Sequence, residues 1–218
     1  MSIKLPIAER FHSLQGEGQW VGTPMHFIRL AGCSVGHLSL ANPLLKTGAH
    51  AWQCHTYDGR PFMCDTDFNI KERIDIDDLL ADTPEHHICI TGGEPLVHRA
   101  SVEVFIEATR PLGKQVHIET SGTIDWVPFG NTWMSVSPKH GCLESMCRRA
   151  DEIKLLVDEN FNLDKLPHYC FIHPKVYLQP INNETSLNME NVKRCLDIQK
   201  DNPKFRLSIQ LHKVLGLR

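Results

Sequence analysis

Three cysteines in the first third of the chain could supply thiolate ligands to a metal centre. Cys33, Cys54 and Cys64 are separated by 20 and 9 residues, and Cys64 opens the stretch Cys-Asp-Thr-Asp-Phe. Iron–sulfur clusters are held by cysteine thiolates, usually four. Three thiolates would leave one iron open to a small molecule, as in open catalytic zinc sites. The same spacing is compatible with a zinc site completed by His50 or His55, or with three unrelated loop cysteines.

Two glycine-containing segments could bring backbone N–H groups to a ligand. The sequence Ile-Thr-Gly-Gly-Glu-Pro (90–95) follows an apolar run, and its glycines allow close approach of the backbone. The alternative is an ordinary strand-to-helix turn. The segment 13–24 is polar and glycine-rich, and its Gln15 and Glu17 are suited to hydrogen-bonding a polar heterocycle. The alternative for that segment is a surface turn.

The elements that must position these residues alternate along the chain. Short apolar or β-branched runs predict strands, and segments with helical periodicity predict helices. Strands are predicted at 25–32, 86–93, 115–120, 132–138, 151–158, 175–181 and 204–213, and helices at 75–82, 99–113 and 187–201. This alternation indicates βαβ units and a mostly parallel sheet.

Polar or glycine-rich clusters follow five of the predicted strands: Ala-Gly-Cys, Thr-Gly-Gly-Glu-Pro, Glu-Thr-Ser-Gly-Thr, Ser-Pro-Lys and Gln-Pro-Ile. Sites in parallel α/β folds form at the carboxyl ends of strands, so five such clusters predict one composite site. The segment 34–63 has little periodicity and predicts a long loop with room for one short helix.

The composition fits one globular domain spanning 1–218 and argues against several classes of protein. The chain has 218 residues, 41% hydrophobic content and a net charge of −3. Lysine and arginine form no basic stripe, so we expect no nucleic-acid partner. No apolar run is long enough to span a bilayer, and the first residues lack the apolar core of a leader. We therefore expect a cytoplasmic protein with no membrane partner.

Taken together, the motifs resemble the radical S-adenosylmethionine superfamily and, more narrowly, the 7-carboxy-7-deazaguanine synthase family. The resemblance runs from Phe11 to the C-terminus. It rests on SLQGEG, FIRLAGC, CDTDF, TGGEP, ETSGT, SPK, LQPI and the terminal RLSIQLHKVLGLR. TGGEP is common to the superfamily, whereas LQGEG with CDT and the terminal HK is specific to the family.

The cysteine spacing departs from the compact Cys-x3-Cys-x2-Cys of many superfamily members. Pro61 occupies the position where a Cys-x2-Cys ending at Cys64 would need a cysteine. Cys33 and Cys64 carry over from the resemblance, and Cys54 is inferred as the third ligand because it is the only cysteine between them. A wide loop can still close around a cluster, because closure entropy grows slowly with length. The segment 34–63 is then an insertion in the cluster loop.

The resemblance implies an incomplete (β/α) barrel of about six parallel strands with fewer helices than a full barrel. It also implies a 4Fe-4S cluster whose open iron is chelated by S-adenosylmethionine. One electron would cleave the sulfonium to give a 5′-deoxyadenosyl radical, which would take a hydrogen from C6 of 6-carboxy-5,6,7,8-tetrahydropterin. The ring would contract and ammonia would leave, giving 7-carboxy-7-deazaguanine for 7-deazaguanine or queuosine-type biosynthesis.

The resemblance further implies a set of metal and substrate contacts. Cys33, Cys54 and Cys64 would hold the cluster, and the Thr66 hydroxyl would bind Mg²⁺, which favours oxygen ligands. Arg29 would pair with the substrate carboxylate, the alternative being a salt bridge at a strand end. The other substrate contacts would come from Leu14, Gln15, Gly16, Glu17, Thr91, His212 and the terminal carboxylate of Arg218.

S-adenosylmethionine would be held by residues from three of the strand-end clusters: Gly93, Glu94, Ser137, Pro138, Lys139 and Gln179. The implied partners are an electron donor such as flavodoxin or ferredoxin and a second copy of the chain in a homodimer. Three alternatives stay open on the residues alone. They are another radical enzyme such as a glycyl-radical activase, a cluster-less binding or regulatory relative, and a zinc protein.

Overall fold

A nine-stranded mixed sheet forms the body of the protein. The computed structural model describes residues 3–39, 51–64, 66, 69–183 and 185–217. The strands of this sheet are β1 (Lys4–Leu14), β2 (Pro24–Leu30), β6 (Glu72–Asp75), β7 (His87–Gly92), β8 (Gln115–Thr120), β9 (Thr132–Val136), β10 (Glu152–Val157), β11 (Val176–Pro180) and β12 (Arg206–Leu207). Their order across the sheet is β12-β11-β10-β9-β8-β7-β2-β1-β6.

The seven strands in the order β12-β11-β10-β9-β8-β7-β2 are parallel to one another. Strand β1 pairs antiparallel with both β2 and β6. Among the described residues, β6 and β12 are the edges of an open sheet. The predicted α/β architecture with parallel strands is confirmed. The parallel strands number seven rather than about six because β12 adds a two-residue pairing to β11.

The described residues contain six α-helices, fewer than the eight of a full barrel. They are α1 (Ile76–Ala81), α2 (Arg99–Thr109), α3 (Glu144–Arg149), α4 (His168–Ile172), α5 (Met189–Asp201) and α6 (Leu211–Leu215). The connection between β8 and β9 spans 121–131 without a helix. None of the helices in the described part of the chain has the length and apolar character needed to cross a membrane.

One apolar core joins the helices to the outer face of the sheet. In α2, Val102, Phe105, Ile106 and Thr109 are buried, at the three- and four-residue spacing that makes one helix face. The central parallel strands are buried on both faces: all five residues of β11 are buried, and β10 buries Glu152 and Lys154 together with its apolar side chains.

The predicted strand at 204–213 is wrong over most of its length. The sequence alternates polar and apolar residues, which mimics a strand, but only β12 joins the sheet. After it, Ser208 Oγ accepts from Gly18 N at 2.9 Å, and Leu211 N donates to Gly16 O at 3.0 Å. The chain therefore leaves the sheet to pack on the loop after β1, and then forms α6.

The prediction of a loop with one short helix at 34–63 is also wrong in its described part. A small antiparallel sheet occupies it, with β3 (His37–Ser39), β4 (Ala51–His55) and β5 (Pro61–Cys64). Its β4–β5 turn is closed by Thr56 N donating to Arg60 O at 2.9 Å. These strands have only three, five and four residues, so the sequence shows no clear two-residue alternation that would predict them. Residues 40–50 of the predicted insertion lie outside the described residues.

Candidate functional site

A cavity of about 630 Å³ lies at the carboxyl ends of the parallel strands. All five strand-end clusters reach it, as the sequence predicts for a composite site. Their residues in the cavity wall are Cys33, Thr91, Gly92, Gly93, Glu119, Thr120, Ser121, Ser137, Lys139, Gln179, Pro180 and Ile181. A volume of this size is typical of a pocket for one or two small organic molecules.

The three candidate cluster cysteines all line this cavity. Cys33 Sγ accepts hydrogen bonds from the backbone N–H groups of Val35 at 3.4 Å and Gly36 at 3.0 Å. These two donors hold the Cys33 sulfur at a defined position in the loop after β2. Burial is the main reason that the pKa of Cys54 rises to about 11; Lys139 opposes the shift, and the thiols of Cys64 and Cys33 add to it.

The β4–β5 hairpin explains how the wide cysteine spacing can still bring thiols together. Cys54 pairs with Phe62, and Cys64 pairs with Trp52, across adjacent antiparallel strands. Side chains two residues apart on a strand share a face, so Cys54 and Cys64 lie diagonally on the same face of the hairpin. The nine residues between them include the ends of both strands and the turn at 56–60, where Thr56 forms a bridge to Lys139 after β9.

The Thr-Gly-Gly-Glu-Pro turn packs directly on the loop that carries Cys33. A Cβ atom on Gly93 would lie 2.4 Å from Gly32 O and 2.6 Å from Cys33 Cβ, so no other residue fits there without a shift. Glu94 N donates to Gly32 O at 3.1 Å. The turn and the Cys33 loop are therefore held at a fixed and close separation.

The Glu94 side chain is fully buried beneath this turn rather than in the cavity wall. Its carboxylate accepts from Thr120 Oγ1 at 2.8 Å, from Ser121 N at 2.8 Å and from the Ser121 hydroxyl. Leu96 N adds a further bond at 3.1 Å. Glu94 thus joins the turn after β7 to the turn after β8 by hydrogen bonds. It would affect a bound ligand only by positioning these two turns.

The segment after β1 packs on the C-terminal helix. A Cβ atom on Gly16 would lie 2.4 Å from His212 Nδ1, so the glycine allows the imidazole to approach the backbone. Leu14, Gln15, Gly16, Glu17 and His212 all line the cavity. Gln15 Oε1 accepts from Glu17 N at 3.1 Å, which sets the shape of the turn.

Arg29 and Thr66 meet at the cavity wall. Arg29 Nη1 donates to Thr66 Oγ1 at 3.3 Å, and Arg29 Nε donates to Glu9 Oε2 at 3.3 Å. The Arg29 side chain is 22% exposed and lines the cavity, so it retains access to a ligand carboxylate. The guanidinium can pair with a ligand carboxylate. The hydroxyl oxygen beside it can bind a hard metal ion that the same carboxylate also coordinates.

Sequence reasoning missed an ion cluster built around Lys154. The Lys154 side chain is 2% exposed, and its Nζ donates to Glu17 Oε2 at 2.8 Å and to Glu119 Oε2 at 2.6 Å. All three residues line the cavity. A lysine inside the apolar run Ile-Lys-Leu-Leu of a buried strand was the available signal, because a buried charge requires a partner.

The two carboxylates of the cluster have opposite pKa shifts. Burial alone would raise the pKa of Glu17, but Lys154 and Gln210 outweigh it and lower this pKa to about 2. Burial raises the pKa of Glu119 to about 7, against Lys154 and with the help of Glu17 and Glu152. One ammonium thus supports one firmly ionised carboxylate and one that holds a proton near neutral pH.

Two of the predicted cofactor contacts and one substrate contact are not in the described cavity wall. Glu94 lies beneath the turn, and Pro138 lines a smaller neighbouring cleft beside Asp58 and Arg60. Arg218 lies outside the described residues, as does His50, an alternative zinc ligand. The other predicted site residues line the cavity, Thr66 and Thr91 included.

Comparison with known proteins gives a consistent set of relatives, although no protein-family model matches the chain. The chain is 34% identical over 239 residues to 7-carboxy-7-deazaguanine synthase of Buchnera aphidicola, covering 98% of this chain and 99% of that protein. It is 30% identical over 236 residues to 7-carboxy-7-deazaguanine synthase of Escherichia coli, covering 99% of this chain and 100% of that protein. The crystal structure of QueE from Escherichia coli superposes with a TM-score of 0.68 at 28% identity, covering 96% of this chain and 95% of that chain.

Proposed function

The chain belongs to the 7-carboxy-7-deazaguanine synthase family, and on that premise we propose that its cavity converts 6-carboxy-5,6,7,8-tetrahydropterin to 7-carboxy-7-deazaguanine with loss of ammonia. Members of this family are radical S-adenosylmethionine enzymes, which use an iron–sulfur cluster. The proposal rests on one observation. Three thiols, a glycine-containing turn and a set of polar side chains line the same cavity.

We propose Cys33, Cys54 and Cys64 as the three ligands of a 4Fe-4S cluster. The donor set fits, because all three thiols line one cavity and Cys33 Sγ already accepts two backbone N–H groups. The shared hairpin face of Cys54 and Cys64 supports the assignment of Cys54. When bound, the cluster and S-adenosylmethionine supply the one-electron chemistry that begins the reaction.

We propose that S-adenosylmethionine is held at the strand ends beside the cysteines by Gly93, Ser137, Lys139 and Gln179. These four residues line the cavity. Glu94 and Pro138, which lie behind this wall, would position the two turns that carry these contacts. The Gly93 backbone can approach a ligand closely because the residue has no side chain.

We propose that Arg29 and Thr66 bind the carboxylate end of the substrate, with Mg²⁺ on the Thr66 hydroxyl. Their 3.3 Å contact brings a cationic donor and a neutral oxygen ligand to one point of the wall. Substrate oxygens and water would complete the magnesium shell, because Mg²⁺ prefers six oxygen ligands and keeps several waters.

We propose that the ring system of the substrate lies against Leu14, Gln15, Gly16, Glu17, Thr91 and His212. Glu17 stays ionised at neutral pH and can accept N–H donors of the pterin. Glu119, with a pKa near 7, can hold a proton beside the ring and release it without a large change in free energy. Lys154 keeps these carboxylates at fixed positions in the wall.

We also propose the remaining partners of the reaction. An electron donor such as flavodoxin or ferredoxin would supply the reducing electron, the chain would form a homodimer, and the location would be cytoplasmic. The product would feed 7-deazaguanine or queuosine-type biosynthesis. Likeness to the family supports these proposals, and none of them rests on a contact among the described residues.

The test is an anaerobic assay of the reconstituted protein with 6-carboxy-5,6,7,8-tetrahydropterin, S-adenosylmethionine, Mg²⁺ and a chemical reductant. We expect 7-carboxy-7-deazaguanine by mass spectrometry, with ammonia in equal amount. Arg29→Ala should raise KM for the pterin at least about tenfold, since a charge-assisted bidentate pair is lost. Cleavage of S-adenosylmethionine without conversion of the pterin would overturn the substrate assignment.

A further inference from the structure

Two histidines face each other on the side of the sheet opposite the cavity. His12 of β1 pairs directly with His26 of β2, and their rings stack with centroids 4.2 Å apart. The neighbouring pair, Phe11 and Phe27, lines the cavity. Because successive side chains on a strand point to opposite faces, the histidines lie on the face away from the catalytic site.

Glu85, which lies just before β7, completes a cluster with these histidines. Its Oε1 is 2.7 Å from His12 Nδ1. One ring nitrogen of each histidine and one oxygen of Glu85 lie within 4.8 Å of one another. Two imidazoles and a carboxylate are the ligands of many catalytic zinc sites, which leave the fourth position to water.

The hydrogen bonds of His26 fix which nitrogen carries its proton. Thr83 Oγ1 donates to Leu79 O at 2.7 Å, so it accepts from His26 Nδ1, 2.6 Å away. His26 is therefore protonated on Nδ1 and has its lone pair on Nε2. A ring held by an outer hydrogen bond of this kind is the usual state of a metal-ligating histidine.

The buried nitrogen of His26 is left without a partner. Its Nε2 makes no hydrogen bond to any of the described residues, although His26 is 0% exposed. Glu85 Oε2 is likewise buried without a partner in the part of the chain that the structure describes. Orphaned buried acceptors are rare and disfavour folding unless something binds them.

We propose that His12, His26 and Glu85 form a second metal site for a divalent transition metal of the zinc class. The mixed imidazole and carboxylate set suits Zn²⁺ better than Mg²⁺, which prefers oxygen ligands alone. His12 is the half-exposed member, with 46% of its side chain accessible, so its ring can turn onto the metal and leave one position to solvent. Asp82 adds negative charge nearby and is itself paired with Arg10.

A metal here would join three separate segments of the chain. His12 belongs to β1, His26 to β2, and Glu85 precedes β7, so the ion would link the antiparallel edge to the parallel sheet. Its effect would be structural, because the Phe11 and Phe27 face of the same strands lies toward the cavity. The site therefore lies outside the proposed catalytic machinery.

The test uses Zn²⁺ as the probe and calorimetric titration as the measurement. The protein carries its reconstituted cluster and saturating S-adenosylmethionine, with free iron removed, so the cavity thiols are occupied. We expect the wild type to bind one more equivalent of Zn²⁺ than Glu85→Gln or His12→Gln, or to bind it at least about tenfold more tightly. His86→Gln is the matched control, since His86 adjoins Glu85 in sequence but is not in the cluster.

A thermal measurement keeps the test independent of any folding defect. Glu85 and His12 are partly exposed, so both variants should fold, and His26 is left unchanged. Zn²⁺ should raise the Tm of the wild type and of His86→Gln, but not of Glu85→Gln. Equal zinc stoichiometry, affinity and Tm shift in all four proteins would overturn the site. Neither readout requires turnover, so failure here would leave the proposed function standing.

Discussion

Lys154 and Glu119 form a 2.6 Å ion pair in the wall of the cavity, and the lysine side chain is 2% exposed. The same ammonium reaches Glu17 at 2.8 Å. A buried cation between two carboxylates fixes three side chains on β8, β10 and the loop after β1. The lysine thereby links β8 and β10 to the loop after β1, which packs on the C-terminal helix.

Removing the ammonium should destabilise the fold strongly. Above pH 7, where Glu119 is ionised as well as Glu17, Lys154→Met leaves both carboxylates without their counter-charge. We expect the free energy of unfolding to fall there by about 3 kcal/mol. Urea denaturation measures this. Lys165→Met is the control, because Lys165 makes a 3.5 Å pair with Asp58 at 57% exposure and should change stability by less than about 0.5 kcal/mol. A similar small loss in both variants would contradict the role of Lys154.

Glu119 should make the stability of the protein fall with rising pH in one window. Its pKa is about 7 in the fold and 4.5 in the unfolded chain, so the fold binds more protons between these values. The free energy of unfolding should then decrease by up to about 1.4 kcal/mol per pH unit from pH 4.5 to 7. Glu17 acts in the opposite direction and only below pH 4.5.

Glu119→Gln should remove this decrease, because the amide does not titrate. Denaturation of the wild type and the variant at several pH values between 4.5 and 7 gives the difference directly. Every other residue is the same in the two proteins, so the difference between them isolates the contribution of Glu119. A difference between the two proteins that does not vary with pH would show that Glu119 is ionised throughout this range.

The close approach of the two turns beside Cys33 should be needed for the cluster. Gly93→Ala puts a methyl group 2.4 Å from Gly32 O, which must push the Cys33 loop away. We expect iron content after anaerobic reconstitution to fall by more than half. Gly113→Ala is the control, since no atom lies within 4 Å of its Cβ and only its φ of 64° costs about 1 kcal/mol. Full iron content in Gly93→Ala would refute the packing argument.

The parallel sheet could be predicted from the sequence, because short apolar or β-branched runs alternate with segments of helical periodicity. The prediction at 115–120 coincides with β8 (Gln115–Thr120). The strand-end clusters predicted the composite cavity, because parallel strands bring their carboxyl ends to one edge of the sheet. Tertiary contacts overrode the local pattern at the C-terminus, where the alternation of 204–213 yields only β12 (Arg206–Leu207) and then α6.

Two parts of the site depend on contacts that local sequence does not encode. The hairpin that aligns Cys54 with Cys64 depends on pairing across a turn whose flanking strands are only five and four residues long. The Lys154 cluster joins residues 137 and 35 positions apart in the chain. These charged residues come together only when β8 and β10 lie in one sheet.

The central claim is that Cys33, Cys54 and Cys64 together hold one iron–sulfur cluster, and iron analysis of Cys54→Ala tests it most directly. Anaerobic iron and sulfide determination with EPR should find about four irons per chain in the wild type. The variant should lose the cluster or give a three-iron signal. Cys142→Ala, which removes a partly exposed thiol outside the cavity wall, should keep all four. A complete cluster in Cys54→Ala would contradict the proposed ligand set, and a wild type that binds no iron would contradict the mechanism.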